Sequence, residues 1–342
     1  MTNILEVNEL VTGYRGKNGY LKAVDGVSFA IKEGETICIV GESGSGKSVT
    51  SMSVMRLVEY ENGKILAGEI NFKGEDLAKK TTEEMRKLRG SEISMIFQEP
   101  LTALNPVFTI GKQISEAILF HQKIPKKLAM ARAEELLTLV GLSEPKTRLK
   151  QFPHELSGGM RQRVMIAIAL ATEPDLLIAD EPTTALDVTI EAQILELLRK
   201  IRQEKNMAIM LITHDIGVAV EMSQRIIIMY AGKIMEIAET NDIMKRPYHP
   251  YTKALLESVP TMDGERGSLL KSIKGSIPSL NELPAGCRFA PRCPLATEQC
   301  HQEQPPLETM QNRQVACWHV DKMKSLYEHE KGGEPVGANE SH

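Results

Sequence analysis

Three groups of residues have the types and spacing to grip a polyphosphate and cut it. Gly41 to Ser48, Gly-Glu-Ser-Gly-Ser-Gly-Lys-Ser, fits the eight-residue phosphate loop: its glycines free backbone N–H groups to wrap phosphates, Lys47 neutralises them and Ser48 offers a hydroxyl to Mg²⁺. Gly41, Glu42, Ser43, Gly44, Ser45, Gly46, Lys47, Ser48 and Val49 are therefore the candidate nucleotide-binding residues. Leu156 to Met160 presents Ser157, Gly158 and Gly159 at a helix start, a second set of bare N–H groups and a hydroxyl for phosphate. Two such surfaces predict that one chain needs a partner chain to complete its site. Asp180 and Glu181 close the apolar run Leu176 to Ala179, at the strand end where α/β sheets collect ligands. Asp180 is expected to hold Mg²⁺ through water and Glu181 to polarise the attacking water.

Two further side chains join them. His214 follows the apolar run Ala208 to Thr213 and would hold the γ-phosphate, the base and the water in line. Gln98 ends the short run Ser94 to Phe97 and can reach metal or water.

The elements that must position these residues are legible in the hydrophobic pattern. Ile4 to Leu10 alternates, Gly26 to Ile31 follows a turn, and Thr36 to Val40 is an apolar strand entering the glycine loop, with a helix expected over Lys47 to Val58. Ile110 to Leu142 changes to helical spacing, which predicts a helical subdomain at about 99–156 inserted in the sheet. After Ser157 the expected order is helix Met160 to Ala171, strand Leu176 to Ala179, helix Ile190 to Glu204, strand Ala208 to Thr213 and strand Arg225 to Met229. That alternation implies a mostly parallel sheet covered on both faces, an α/β fold. Thr261 to Gly286 reads as a surface linker, 287–328 as a cysteine-bearing segment, and 329–342 as a disordered tail.

Composition narrows the class. The chain has 342 residues, 42% of them hydrophobic and 25% charged, with a net charge of −4. This suits a soluble globular protein of about two domains, and it offers no basic field for a nucleic acid. Its N-terminus lacks a basic-then-apolar leader pattern and no run of eighteen apolar residues occurs, so a cytoplasmic chain is expected.

Taken together, Gly41 to Ser48, Gln98, Leu156 to Met160, Asp180-Glu181, Ala185-Leu186-Asp187 and His214 resemble an ABC-type ATPase cassette over roughly residues 1–260. The resemblance implies a RecA-like core, a β-rich N-terminal subdomain and head-to-tail pairing of two cassettes. Each ATP would lie between one phosphate loop and the facing Ser157-Gly158-Gly159, with Asp187 at the interface and Tyr14 stacked on adenine. Tyr20 competes for the stacking role. Met160 departs from the glutamine many cassettes carry there, but the phosphate contacts come from Ser157 and the glycines. The stretches from Ser157, from Asp180 and from Arg246 to Leu256 (Arg-Pro-Tyr-His-Pro-Tyr-Thr-Lys-Ala-Leu-Leu) are similar to oligopeptide and dipeptide importer ATPases of the peptide/nickel group. Such a subunit, peripheral at the cytoplasmic face of the membrane, works with a related second ATPase, two membrane permeases and an external binding protein. The alternatives are an importer for nickel or another small solute, and a soluble ABC ATPase. The latter usually carries a long coiled-coil insertion or two cassettes, and neither is seen here. A small-molecule kinase leaves Ser157-Gly-Gly unexplained.

Four of the five cysteines, Cys287, Cys293, Cys300 and Cys317, fall in the C-terminal part. A reducing compartment favours metal over disulfide for such a cluster. No CxxC pair supports a structural zinc site. The resemblance implies a [4Fe-4S] cluster on these four; zinc, with His301 or His319 replacing a thiolate, and free thiols stay open. Cys38 is expected to be core.

Overall fold

The computed structural model describes residues 2–17, 19–99, 103–184, 186–258 and 273–328. The expected tail at 329–342, Ala185 and residues 259–272 lie outside them.

Strands β1 (Asn3–Gly16) and β2 (Gly19–Lys32) form a long antiparallel hairpin, and β1 also pairs with β4 (Gly63–Phe72), which pairs with β5 (Glu75–Asp76). The larger sheet has eight strands in the order β11-β12-β10-β9-β3-β8-β7-β6. Its parallel centre comprises β3 (Thr36–Val40), β6 (Ile93–Ile96), β7 (Leu176–Asp180), β8 (Ala208–Thr213) and β9 (Arg225–Tyr230).

These strands read as continuous apolar runs because both faces are covered. On one face Cys38, Val40, Leu177, Ala179, Leu211 and Ile228 pack under helices α3 (Ile110–His121), α4 (Lys126–Leu139), α6 (Gly158–Ala169) and α7 (Val188–Lys205). On the other, Ile37, Ile39, Ile178, Met210 and Ile227 meet Leu5, Val7, Leu10, Val24 and Ile70 of the smaller sheet. Each fully buried Leu or Ile contributes about 1.5–3 kcal/mol relative to exposure. Cys38 is wholly buried and burial pushes its thiol far up, so it is core.

Between β6 and α6 lie α3, α4 and the short α5 (Pro145–Arg148). Helix α1 (Lys47–Val54) follows the glycine loop and stops earlier than the expected Val58. Met55 caps it, and Arg56 adopts a left-handed φ of 50° that no helix continues through. Helix α2 spans Thr82–Leu88.

The C-terminal part is joined to the core sheet. Strand β10 (Lys233–Glu239) pairs with β12 (Arg313–Val315), and β12 with β11 (Glu308–Met310). At this seam Glu236, fully buried, accepts hydrogen bonds from the N–H groups of Tyr248 (2.9 Å) and His249 (3.0 Å) and faces Arg313 at 3.4 Å. Burial pushes the Glu236 carboxyl up while those donors and Arg313 oppose the shift. Helices α8 (Ile216–Met222), α9 (Thr240–Lys245), α10 (Pro250–Glu257), α11 (Glu298–Gln302) and α12 (Val320–Glu328) complete the fold. Residues 273–286 carry no helix or strand, and Ile273, Ile277 and Leu283 pack against the core.

Candidate nucleotide site

The glycine loop runs from the end of β3 to the start of α1. Gly46 takes a φ of 100° as the N-cap of α1, a conformation L side chains avoid. Gly41 is required for a different reason: a Cβ there would lie 2.2 Å from the Met229 carbonyl oxygen. The loop thus presses against β9.

Lys47 is 4% exposed, and its Nζ donates to the carbonyls of Gly41 (2.7 Å) and Glu42 (3.1 Å), 4.0 Å from Glu181 Oε1. Burial pulls its ammonium down, opposed by the attraction of Glu181 and Asp180. Ser48 Oγ donates to Asp180 Oδ1 at 3.0 Å, and Ser51 Oγ reaches Asp180 Oδ2 at 3.3 Å. Burial pushes the Asp180 carboxyl up to about 6, the Ser48 hydrogen bond working against it and the Glu181 charge with it. A buried carboxylate beside a hydroxyl and a second carboxylate is a place where a divalent cation would be welcome. Ser45 Oγ is buried without a hydrogen-bond partner in the same loop, as expected of a group that meets a ligand.

Glu181 is the hub of the site. Its backbone has a left-handed φ of 46°, a conformation it shares with Glu9, Glu144 and Glu173. Its Oε2 accepts from Gln98 Nε2 (3.0 Å) and Thr184 Oγ1 (3.0 Å) and lies 3.4 Å from His214 Nδ1. Side chains from the ends of β6, β7 and β8 therefore converge on one carboxylate. Gly41 adjoins a pocket of about 940 Å³ lined by Glu42, Ser43, Gly44, Ser45, Gly46, Lys47, Ser48, Val49, Gln98, Glu181 and His214. Leu255, Ser258, Ile273, Gly275, Ser276 and Ile277 supply the remaining wall.

Other expected residues, Ser157, Gly158, Gly159, Asp187 and Tyr14 among them, lie elsewhere. Ser157 caps α6, accepting from Met160 N–H at 3.4 Å, and Ser157 and Gly158 are exposed outside the pocket. Asp187 caps α7 by accepting from Ile190 N–H at 2.9 Å. Tyr14 is half-buried on β1 beside Gly63, and neither it nor the exposed Tyr20 lines the pocket. Burial, then Glu61, pushes the Tyr14 hydroxyl up. Gln162, buried on helix α6, donates to the Pro182 carbonyl and so ties that helix to the loop that follows Glu181.

The pocket wall explains the Arg246 to Leu256 stretch. Tyr248 and His249 hold Glu236 through their N–H groups, His249 Nδ1 caps α10 by accepting from Tyr251 N–H (3.0 Å), and Tyr251 Oη accepts from Glu42 N–H (3.0 Å). Tyr251 and the residues of 273–277 carry no local signal of their contact with a loop some two hundred positions earlier.

Cys287, Cys293, Cys300 and Cys317 line one small cavity of about 10 Å³ with His249, Phe289, Trp318 and His319. His319 Nε2 lies 3.4 Å from Cys300 Sγ, while His301 is exposed and does not line the cavity. Burial, reinforced by neighbouring thiols, pushes Cys293 up to about 11 and Cys317 up to about 12. Among the described residues no three His, Cys, Asp or Glu side chains form a ready single-ion site.

The fold and this convergence of phosphate loop, buried Asp180 and Glu181 define a P-loop ATPase of the cassette type. Residues 24–184 match the ABC transporter family, and 235–300 match the oligopeptide/dipeptide transporter C-terminal region. The chain is 53% identical over 331 residues to the oligopeptide transport ATP-binding protein AppD of Bacillus subtilis, covering 96% of this chain and 98% of that one. It is 48% identical to the dipeptide transport ATP-binding protein DppD of Escherichia coli, covering 92% and 96%. Among solved structures it resembles the dimeric post-hydrolysis ATP-binding cassette MJ0796 bound to ADP and phosphate, with a TM-score of 0.63, 30% identity and coverage of 69% and 98%. The chain belongs to the ABC transporter family of ATP-binding proteins, in its oligopeptide/dipeptide transporter branch, and is an ATP hydrolase. Among the described residues no helix is long and apolar enough to cross a membrane.

Proposed function

We propose that the chain powers the import of short peptides through separate membrane permeases. The observation that carries the cargo class is the match of residues 235–300 to the oligopeptide/dipeptide transporter C-terminal region, beside near full-length similarity to peptide-transport ATPases. In this reading Gly41 to Val49 bind the triphosphate, and Ser48, Asp180 and Gln98 hold the Mg²⁺ of Mg-ATP, which offsets charge on the β- and γ-phosphates. Glu181 takes the proton of the attacking water, with Gln98, Thr184 and His214 fixing its carboxylate. Tyr14 stacks on the base. Ser157, Gly158 and Gly159 lie outside their own pocket and serve the ATP of a second, related cassette, with Asp187 beside them.

Two permeases and an external binding protein complete the assembly at the cytoplasmic face of the membrane. Exposed Val107, Phe120 and Leu128 on and beside α3 and α4 suit contact with a permease helix. ATP closes the cassettes and hydrolysis reopens them, shifting the permeases between two states. Tagged Glu181→Gln protein, pulled with ATP from native membranes, is expected to bring two permeases and a second cassette. Recovery of soluble partners alone would overturn the transport reading.

For the cysteines we infer a [4Fe-4S] cluster held by Cys287, Cys293, Cys300 and Cys317. What supports it is the family resemblance and the four thiols around one cavity that, among the described residues, no lysine or arginine lines, an arrangement that a cationic group would allow to ionise. When bound, such a cluster supplies a one-electron redox centre. Anaerobically purified protein should contain iron and sulfide; colourless protein with zinc would refute the assignment.

A further inference from the structure

Glu42 places a carboxylate on the wall of a pocket built for a polyanion. That charge is answered from the far end of the chain. Arg292, next to Cys293 and with its side chain 6% exposed, donates from Nη1 to Glu42 Oε1 (3.0 Å) and Oε2 (3.1 Å) and to Tyr230 Oη (3.2 Å). Its Nε donates to the Lys274 carbonyl (2.8 Å), and Nη2 to the carbonyls of Ile273 (3.2 Å) and Gly275 (3.3 Å). All five guanidinium N–H groups are therefore used. Three of the acceptors belong to the strip that walls the nucleotide pocket at Ile273 and Gly275. Below the guanidinium, Tyr230, Tyr251 and Phe289 pack ring to ring, Tyr251 gripping Glu42 N–H and Phe289 lining the cysteine cavity.

We propose that Arg292 is a positioning residue for ATP: it cancels the Glu42 charge beside the triphosphate. The glycine loop of the cassette is thus tuned by the cysteine-bearing segment. The proposal rests on the nucleotide reading of the pocket, and it requires nothing of the cargo or of what the cysteines bind.

The test is equilibrium binding of Mg-ATP and steady-state hydrolysis on the full-length chain for Arg292→Met, Glu42→Gln, the double variant and Arg292→Lys. Arg292→Met leaves Glu42 unpaired, so Kd and KM for Mg-ATP should rise about ten-fold with kcat within about two-fold of wild type. Glu42→Gln removes the charge that needed cancelling while leaving the loop backbone as it is, and the double variant should bind Mg-ATP at least about three-fold more tightly than Arg292→Met. A purely structural arginine would not be rescued in this way. Arg292→Lys keeps the charge and should stay within about three-fold, which keeps the proposal open to refutation if Arg292→Met does not fold. Unchanged affinity in Arg292→Met, a double variant as weak as Arg292→Met, or a folded Arg292→Lys ten-fold weaker each overturns the proposal while wild-type binding stands. A wild-type chain that binds no ATP refutes the nucleotide reading and the proposal with it.

Discussion

Replacing Glu181 by glutamine isolates proton transfer from everything else the site does. The amide is the same size as the carboxylate, and its oxygen can still accept from Gln98 Nε2 and Thr184 Oγ1, which both lie 3.0 Å from Oε2. What disappears is the basicity and a negative charge 4.0 Å from Lys47 Nζ. Loss of a positioned general base costs about 10²- to 10⁴-fold, or about 3–5 kcal/mol of barrier. Nucleotide affinity should hold or tighten, because a carboxylate that repels the triphosphate is gone. Phosphate release at saturating Mg-ATP measures the first effect, and equilibrium titration with a fluorescent ATP analogue the second. Hydrolysis within about three-fold of wild type would refute Glu181 as the base. Loss of ATP binding with intact fold would instead make it a binding residue.

Acid stability should be governed in part by His249. It is 1% exposed, and burial pulls its imidazole from 6.5 down to about 3. The unfolded chain therefore binds the extra proton, and stability present above pH 6.5 is lost as pH falls toward 3, at about 1.4 kcal/mol per unit, or about 2 kcal/mol between pH 6.5 and 5. His249→Asn, which can still cap α10, should flatten that dependence; urea midpoints at pH 5 and 7.5 that shift alike in both proteins would contradict it. Gly41→Ala should destabilise the fold by about 1–3 kcal/mol or more, since its Cβ meets the Met229 carbonyl oxygen at 2.2 Å and backbone cannot retreat cheaply, as thermal melts would register. Gly158→Ala meets nothing within 4 Å and should melt like wild type, yet weaken ATP-dependent cassette pairing measured by light scattering with Glu181→Gln in both chains.

Much of this was legible from the pattern of apolar residues. Thr36–Val40 and Ala208–Thr213 are strands at their expected bounds because a central parallel strand is apolar on both faces and sharply bounded. Strand β4 gave no such signal: most of Gly63–Phe72 is at least partly exposed, and pairing with β1 rather than burial holds it. Helix α7 begins two residues earlier than periodicity suggested, since Asp187 caps it before the first buried position. The ends of β6, β7 and β8 were readable as a cluster of chemistry, because sheet order brings strand ends together. Nothing local told that Arg292 would cross to Glu42, 250 residues away, or that three residues at 313–315 would extend the core sheet. Such contacts depend on the assembled fold and leave no periodicity behind.

The most direct test of the account is peptide uptake by proteoliposomes carrying this chain with its co-purified membrane partners and ATP inside the compartment that the cassettes face. The account predicts accumulation of a labelled di- or oligopeptide that requires Mg-ATP and collapses with Glu181→Gln. Peptide movement indifferent to ATP or to Glu181, or ATP-driven accumulation of nickel chelate in place of peptide, would contradict it.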